Sequence, residues 1–389
     1  MKRNVFLLGL VSLFTDLSSQ MIYPLIPQFL VDLGANKSVI GMIEGLADAT
    51  ASLFKAVFGR WSDRLGKRKW FVFAGYGLAT IAKPFLYVAS IWSHVLAVRF
   101  ADRLGKAARN PARDALIAAS VPPQDKGKAF GMHRSMDRIG AFGGPILALI
   151  ILHFSPENVR LVFLLAVIPA LLALGFIPFV KGFSPAPQPR DSQGSSKPAL
   201  TTSPLANRTF LWFLIVNLVF ALGNSSNAFL LLKASETGIA ILWLPILWML
   251  YNAVSAIASP IFGSLSDKLG RQGIILMSFL VYALIYLGFA VADQSWHIWT
   301  LFGMYGIYYG LSNGVYRAYI SDLIPHQQLG SAYGVYTSGI GIVLFPASLM
   351  AGVIWDAYGS YWTFVISASL AIMALALFWM TNRKFSQQT

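Results

Sequence analysis

The sequence predicts an all-α polytopic membrane protein, with twelve transmembrane helices in two six-helix halves. Three observations predict it. Apolar stretches of about 20 residues recur along the chain, the length a helix needs to cross about 30 Å of hydrocarbon. Basic residues gather in alternate connections. A motif near the start of the chain returns in its second half.

The apolar stretches fall at 5–29, 37–59, 70–90, 92–117, 129–153, 159–180, 209–232, 238–262, 273–292, 296–321, 329–354 and 361–381. The first is long, carries Asp16 and lacks a small-residue cleavage site, so it reads as a retained helix and not a signal peptide. The 389 residues are 56% hydrophobic and 12% charged, yet the formal net charge is +14. That excess is topological. Lys2-Arg3, Arg60 to Lys69, Lys126-Lys128, Lys181 to Arg208, Lys268-Arg271 and Arg383-Lys384 all fall on one side if the spans alternate, and the opposite connections hold little beyond Lys37, Arg160 and Lys233. This positive-inside pattern puts both termini in the cytoplasm and removes the reason to expect nucleic acid. With no Cys, neither disulfides nor thiol chemistry is available. The five His do not cluster at ligand spacing and no nucleophile–base pair stands out, so neither a metal site, a cofactor nor an enzyme is expected.

The Pro- and Ser-rich stretch 181–208 reads as a flexible cytoplasmic linker between an N-terminal half, 1–180, and a C-terminal half, 209–389. The halves repeat. Gly59-Arg60-Trp61-Ser62-Asp63-Arg64-Leu65-Gly66-Lys67 follows the second span, and Gly263-Ser264-Leu265-Ser266-Asp267-Lys268-Leu269-Gly270-Arg271 follows the eighth. In the same register Arg113 meets Arg317. Two parallel six-helix repeats around a linker form a transporter architecture.

Here the sequence resembles the major facilitator superfamily. The segment GRWSDRLGKRK is similar to that family's signature loop between helices two and three. Gly131, Gly140, Gly144 and Pro145 match its fifth-helix glycine–proline motif, although Ala148-Leu149 leave the last part incomplete. Arg99 stands where a fourth-helix arginine is expected, with Arg103 in place of the usual glycine four residues on. TDLSSQMIYPL and RLGKAARNPARDALI resemble bacterial permeases, in which Glu often occupies the position of Gln20. The resemblance covers essentially the whole chain. It implies alternating access around a central cavity in the bacterial cytoplasmic membrane. It associates the fifth-helix motif with antiport without fixing the direction of transport.

The fourth span raises the functional question. With Arg99 as origin and about 100° per residue, Arg103 falls at roughly +40°, Lys106 at −20°, Asp102 at −60°, Arg109 at −80° and Arg113 at −40°. The other face carries Phe100, Leu104, Ala108 and Ala112. A cation at the membrane centre costs at least about 2.5–3.5 kcal/mol against lipid, so these charges must face water, acids or an anionic ligand. In the repeat register Arg99, Arg103 and Lys106 meet the uncharged Gly303, Ile307 and Gly310. What one half has alone points to substrate chemistry, so these three are the candidate anion-binding residues.

Candidate partners are Asp16 in the first span and Glu44 and Asp48 in the second. A buried carboxylate beside cations can exchange a proton near neutral pH if its burial outweighs its partners, and these three are the proton-coupling candidates. The second half offers uncharged groups instead. Asn224, Asn227, Asn252, Tyr305, Tyr309 and Asn313 supply hydrogen bonds and apolar faces to hold the rest of a solute.

The motif that both halves share is expected to be scaffold. Gly59 and Gly66 should flank a short reversal, and Gly263 and Gly270 hold the matching positions of the repeat. Asp63 sits between Arg60 and Arg64, and Asp267 beside Lys268 and Arg271. Asp63 is expected to cap the next helix and to pair with Arg113 across helices, beside Asp114 and the repeat-related Arg317, as a conformational latch. Gly140, Gly144 and Pro145 should allow close helix approach and a bend.

The expected function is a monomeric secondary transporter for a small organic anion or anionic amphiphile, coupled to protons or another ion. A drug:proton antiporter of neutral or cationic compounds is the alternative if acids cancel every cation. A membrane sensor without flux is a second alternative, against which the lack of a soluble domain in these residues counts.

Overall fold

A computed structural model describes residues 3–156, 158–182, 203–325 and 328–386. Most of the expected 181–208 linker lies outside the described residues. The described residues are nearly all helical. We number the long helices α1 (Arg3–Asp32), α2 (Lys37–Leu65), α3 (Arg68–Ala82), α4 (Trp92–Ala119), α5 (Lys126–Phe154), α6 (Val159–Phe179), α7 (Arg208–Glu236), α8 (Ile241–Leu269), α9 (Arg271–Val291), α10 (Ser295–Leu323), α11 (Leu329–Tyr358) and α12 (Ser360–Thr381). They follow the twelve apolar stretches in order.

Eight of the twelve are apolar and long enough to span a membrane on their own: α1, α5 to α9, α11 and α12. The other four show why hydropathy alone is not the whole signal. Helix α3 has only 15 residues before Pro84 turns the chain into a single 3-10 turn. Helices α2 and α4 carry intramembrane charges. Helix α10 is dense in Tyr and Gly. Such helices need protein or water along their polar face.

The chain divides into two compact units: Met1–Ala35, Leu46–Arg190 and Ile239–Met249 in one, and Asn36–Gly45, Asp191–Gly238 and Leu250–Thr389 in the other. In the first, α1 lies along α5. Lipid is as apolar as leucine, so close packing and not burial from water must hold such helices together. A Cβ on Gly144 would stand 2.5 Å from the Leu17 carbonyl oxygen, and one on Gly140 would strike the Leu13 carbonyl. Gly75 of α3 and Gly105 of α4 meet backbone to backbone in the same way.

In the second unit, the start of α2 packs on α11. A Cβ on Gly45 would lie 2.9 Å from the Phe345 carbonyl oxygen, and Gly41 and Gly352 abut the backbone of Ser348 and Lys37. The Asp356 carboxylate finishes this contact. It accepts the Lys37 amide at 2.9 Å, the Ser38 amide at 2.8 Å and the Ser38 hydroxyl, capping the N-terminus of α2 from another helix. Helix α7 is interrupted between Gly223 and Ala228, and the freed Ser226 amide donates to Ser348 Oγ at 3.0 Å. Broken helices of this kind occur where backbone is enclosed by protein or lines a polar space.

Candidate functional site

The fourth-span cations and Asp16 and Asp48 lie in the first unit, and the structure sorts the cations into seated and exposed. Arg99 is buried, with its guanidinium 5.5 Å from the centre of the Tyr23 ring. Arg109 is buried over the Tyr76 ring at 4.5 Å. Arg103 makes an ion pair with Asp48 at 3.7 Å. Arg113 pairs with Asp114 at 2.9 Å and donates to Ser12 Oγ at 3.0 Å. Lys83, buried at the end of α3, donates to Ser18 Oγ at 2.6 Å and Ser19 Oγ at 3.3 Å. These pairings give each of the five a cation–π face, a carboxylate or hydroxyls.

Lys106 differs. It stands midway along the 28-residue α4, its side chain is exposed, and no carboxylate comes within 4 Å of it among the described residues. Of the three anion-binding candidates on α4, it alone is open, because α1 covers Arg99 through Tyr23 and α2 supplies Asp48 to Arg103. Among the coupling candidates, Asp16 is half-buried in α1 and within electrostatic range of Lys106, Arg109, Arg113 and Asp137. Asp48 is committed to Arg103. Glu44, on the part of α2 that belongs to the second unit, is buried.

Further residues complete this unit, of which the sequence reading did not single out Tyr23 and Tyr76. Tyr23 and Tyr76 hold arginines. Gln20 accepts the Trp248 indole N–H at 2.7 Å, and Trp248 packs on Tyr23 with ring centres 4.8 Å apart. His133 and Asp137 approach to 3.6 Å on α5. Aromatic rings next to arginines are weak signals in a sequence with 14% aromatic residues.

The second unit contains the expected amide and phenol groups in two arrangements. Tyr305 is buried and donates to Asn227 Oδ1 at 2.7 Å. Its ring stacks on Tyr251 at 5.3 Å and on Tyr308 at 5.5 Å. Asn224 accepts from the Tyr282 hydroxyl at 3.5 Å. Asn227, Asn224 and Tyr305 thus tie α7 at its break to α9 and α10. Asn252 is half-buried on α8. Tyr309, Asn313 and Arg317 are exposed along one stripe of α10, so on this helix the open polar face is Tyr309–Asn313 and not Tyr305.

The shared motif requires three corrections. Gly59 and Gly263 do not flank the reversals. Helices α2 and α8 run through them to Leu65 and Leu269, and Ser62 and Ser266 donate back to their carbonyls at 2.9 and 2.7 Å. The reversals sit at Gly66 and Gly270, with φ of 64° and 87°. Asp63 neither caps α3 nor reaches Arg113. It pairs with Arg68 at 2.7 Å, five residues on at the start of α3, so the pair spans the reversal itself. Its counterpart Asp267 pairs with Arg271 at 3.5 Å, and Arg271 also reaches Asp322 at 2.7 Å. Arg64 is exposed. In the fifth helix Gly140 and Gly144 make the close approach and Pro145 is buried, but Gly131 faces open space, where a Cβ would meet nothing within 4 Å.

Known proteins share this architecture. The family model of the Major Facilitator Superfamily matches residues 8–346. The chain is 32% identical over 380 residues to an uncharacterised MFS-type transporter of Methanocaldococcus jannaschii, covering 96% of this chain and 94% of that protein. Over 133 residues it is 31% identical to the lysosomal dipeptide transporter MFSD1 of Homo sapiens, a match to 33% of this chain and 28% of that protein. The crystal structure of the nucleoside transporter NupG superposes with a TM-score of 0.77 at 13% identity, covering 97% of this chain and 98% of that one. At that identity the likeness is one of fold.

Proposed function

Since the chain belongs to the Major Facilitator Superfamily, we propose that it is a secondary transporter carrying a small organic anion, or an amphiphile with an anionic group, by alternating access. The observation that carries this reading is Lys106. It is an exposed cation at mid-span with no ion pair among the described residues. A charge there cannot rest against hydrocarbon, so it faces water and is available to a solute. Arg103, half-neutralised by Asp48, adds positive potential beside it, and Arg99 supports the helix from within. Tyr309, Asn313 and Asn252 are the uncharged hydrogen-bonding candidates that the second unit offers. Asp16, in range of Lys106, is the proton-coupling candidate that best fits, because Asp48 is committed to an arginine. The two sequence repeats, 1–180 and 209–389, would act as the moving halves of a monomer in the cytoplasmic membrane. A dipeptide, the solute named for MFSD1, carries a carboxylate of the kind Lys106 would meet.

The test is transport in proteoliposomes. Lys106→Gln should cut anion flux about tenfold or more, the loss of one charge-assisted contact, while the variant elutes and melts as the parent does. Unchanged flux at unchanged affinity would reject the role of Lys106. A panel of cationic dyes and antibiotics transported in preference to anions would favour the antiporter reading.

A further inference from the structure

Lys83 is seated differently from the arginines of the first unit. It is 4% exposed, at the end of α3 where Pro84 starts the 3-10 turn. Its Nζ donates to Ser18 Oγ at 2.6 Å and to Ser19 Oγ at 3.3 Å. Ser18 gives its own proton to the Ala166 carbonyl of α6 at 2.5 Å, so it can only accept from Lys83. No carboxylate lies within 4 Å of Nζ among the described residues. Two neutral hydroxyls are a thin replacement for water around a buried ammonium. Arginine keeps its charge in a protein, whereas a buried lysine can exist as a neutral amine.

The counter-charge stands across a cavity. A space of about 30 Å³ is lined by Ser19 and Tyr23 of α1, by Lys83, and by Arg99 and Asp102 of α4, with aliphatic side chains around them. Such a volume holds one or two waters. Asp102 Oδ1 is buried without a hydrogen-bond partner among the described residues. An ammonium and a carboxylate oxygen thus share the wall of one small polar space without touching. Asp16 of α1 and Arg109 of α4 are also in electrostatic range of Lys83. From α6, the charged Arg160 is bonded to the Tyr87 carbonyl at 2.6 Å. Asp102 is in range of Arg99, Arg103, Arg109 and Lys106, which ties the cavity to the anion-binding candidates. In the repeat register Lys83 and Asp102 meet Leu287 and Gly306, so both occur in one half only.

Building on the proton-coupled anion reading, we propose that Lys83 is a proton-carrying site of the transport cycle, with Asp102 as its fixed counter-charge across the cavity. As an ammonium, Lys83 offsets Asp102 and leaves the field of Arg103 and Lys106 free to hold the anion. When an N–H bond of that ammonium breaks, the electron pair stays on Nζ and the proton leaves on water. Asp102 then opposes Arg103 and Lys106, and the anion is released. Proton and anion travel in the same direction.

Proteoliposomes with a pH-sensitive dye inside test this, with labelled lactate, succinate and alanylalanine as probes. In the parent, an inward proton gradient should drive accumulation of at least one probe, and the uptake should carry protons in. Lys83→Arg keeps the charge and gives up no proton. It should still exchange the probe at equal pH on both sides, yet lose about tenfold or more of the gradient-driven accumulation. Lys83→Gln, which is shorter and guards against a clash of the longer arginine, should lose the accumulation too and bind the probe about tenfold more weakly. Accumulation that survives both variants and is lost in Asp16→Asn puts the proton on Asp16 and overturns the assignment. Loss of exchange in both variants marks Lys83 as scaffold and overturns it as well. A parent that exchanges a probe without moving protons overturns the assignment and leaves the anion reading standing. Failure of all three probes to move overturns both.

Discussion

At the scale of single residues, the ion pair between Arg103 and Asp48 decides how the cluster on α4 behaves. Arg103 is only 14% exposed and Asp48 37%, so removing the acid strands a charge that has little access to water. Asp48→Asn should therefore lower stability by about 1–3 kcal/mol. Adding Arg103→Gln should recover part of that loss, because the stranded charge then disappears. A double-mutant cycle read by melting temperature in detergent gives the coupling directly. Additive losses would mean that the pair contributes nothing. The amphipathic charge pattern of α4 was legible from sequence, and so was its one-sidedness in the repeat. Which cations are seated was not. Their partners Tyr23, Asp48 and Tyr76 come from three other helices, and a tyrosine that receives a guanidinium looks in sequence like any tyrosine.

At the scale of the elements, glycines of identical appearance do different jobs. Gly140 abuts the Leu13 backbone, whereas Gly131 meets nothing within 4 Å. Gly140→Leu should separate α1 from α5 and abolish monodisperse elution in size-exclusion chromatography. Gly131→Ala should be neutral or gain up to about 1 kcal/mol from helix propensity. The reversals provide a second contrast. Gly66 and Gly270 have positive φ, so Ala at either should cost about 1 kcal/mol, measurable as a lowered melting temperature. Ala at Gly263, which is helical and uncrowded, should not. Twelve helices were legible because apolar length and basic connections are local properties. The register of one helix against another is not local, and it alone fixes which motif glycines touch. It also explains why the expected partner of Asp63 differs from the observed one. The repeated motif suggested a distant arginine, while Arg68 lay five residues away.

At the scale of the whole molecule, the alternating access proposed above would make some contacts state-dependent, and the Asp356 cap on α2 has the right character. Its carboxylate receives two backbone amides and a hydroxyl. It joins a helix of the first sequence repeat to one of the second, at the end that the charge pattern assigns to the outside. Losing hydrogen bonds to a charged group costs about 1.5–3 kcal/mol, enough to shift a two-state equilibrium roughly tenfold to a hundredfold. Asp356→Ala should therefore populate the outward-open state. The chain contains no Cys, so a single cysteine placed at the exposed Asn313 gives labelling without background. In right-side-out vesicles, an impermeant maleimide added from outside should react faster with Asn313→Cys when Asp356→Ala is also present. Asp356→Glu, which keeps the acceptor, should react at the parent rate. Equal rates for all three would show that the cap steadies α2 without setting the conformational balance. Faster labelling would place the control of outward opening in a contact that contains no member of the cation cluster.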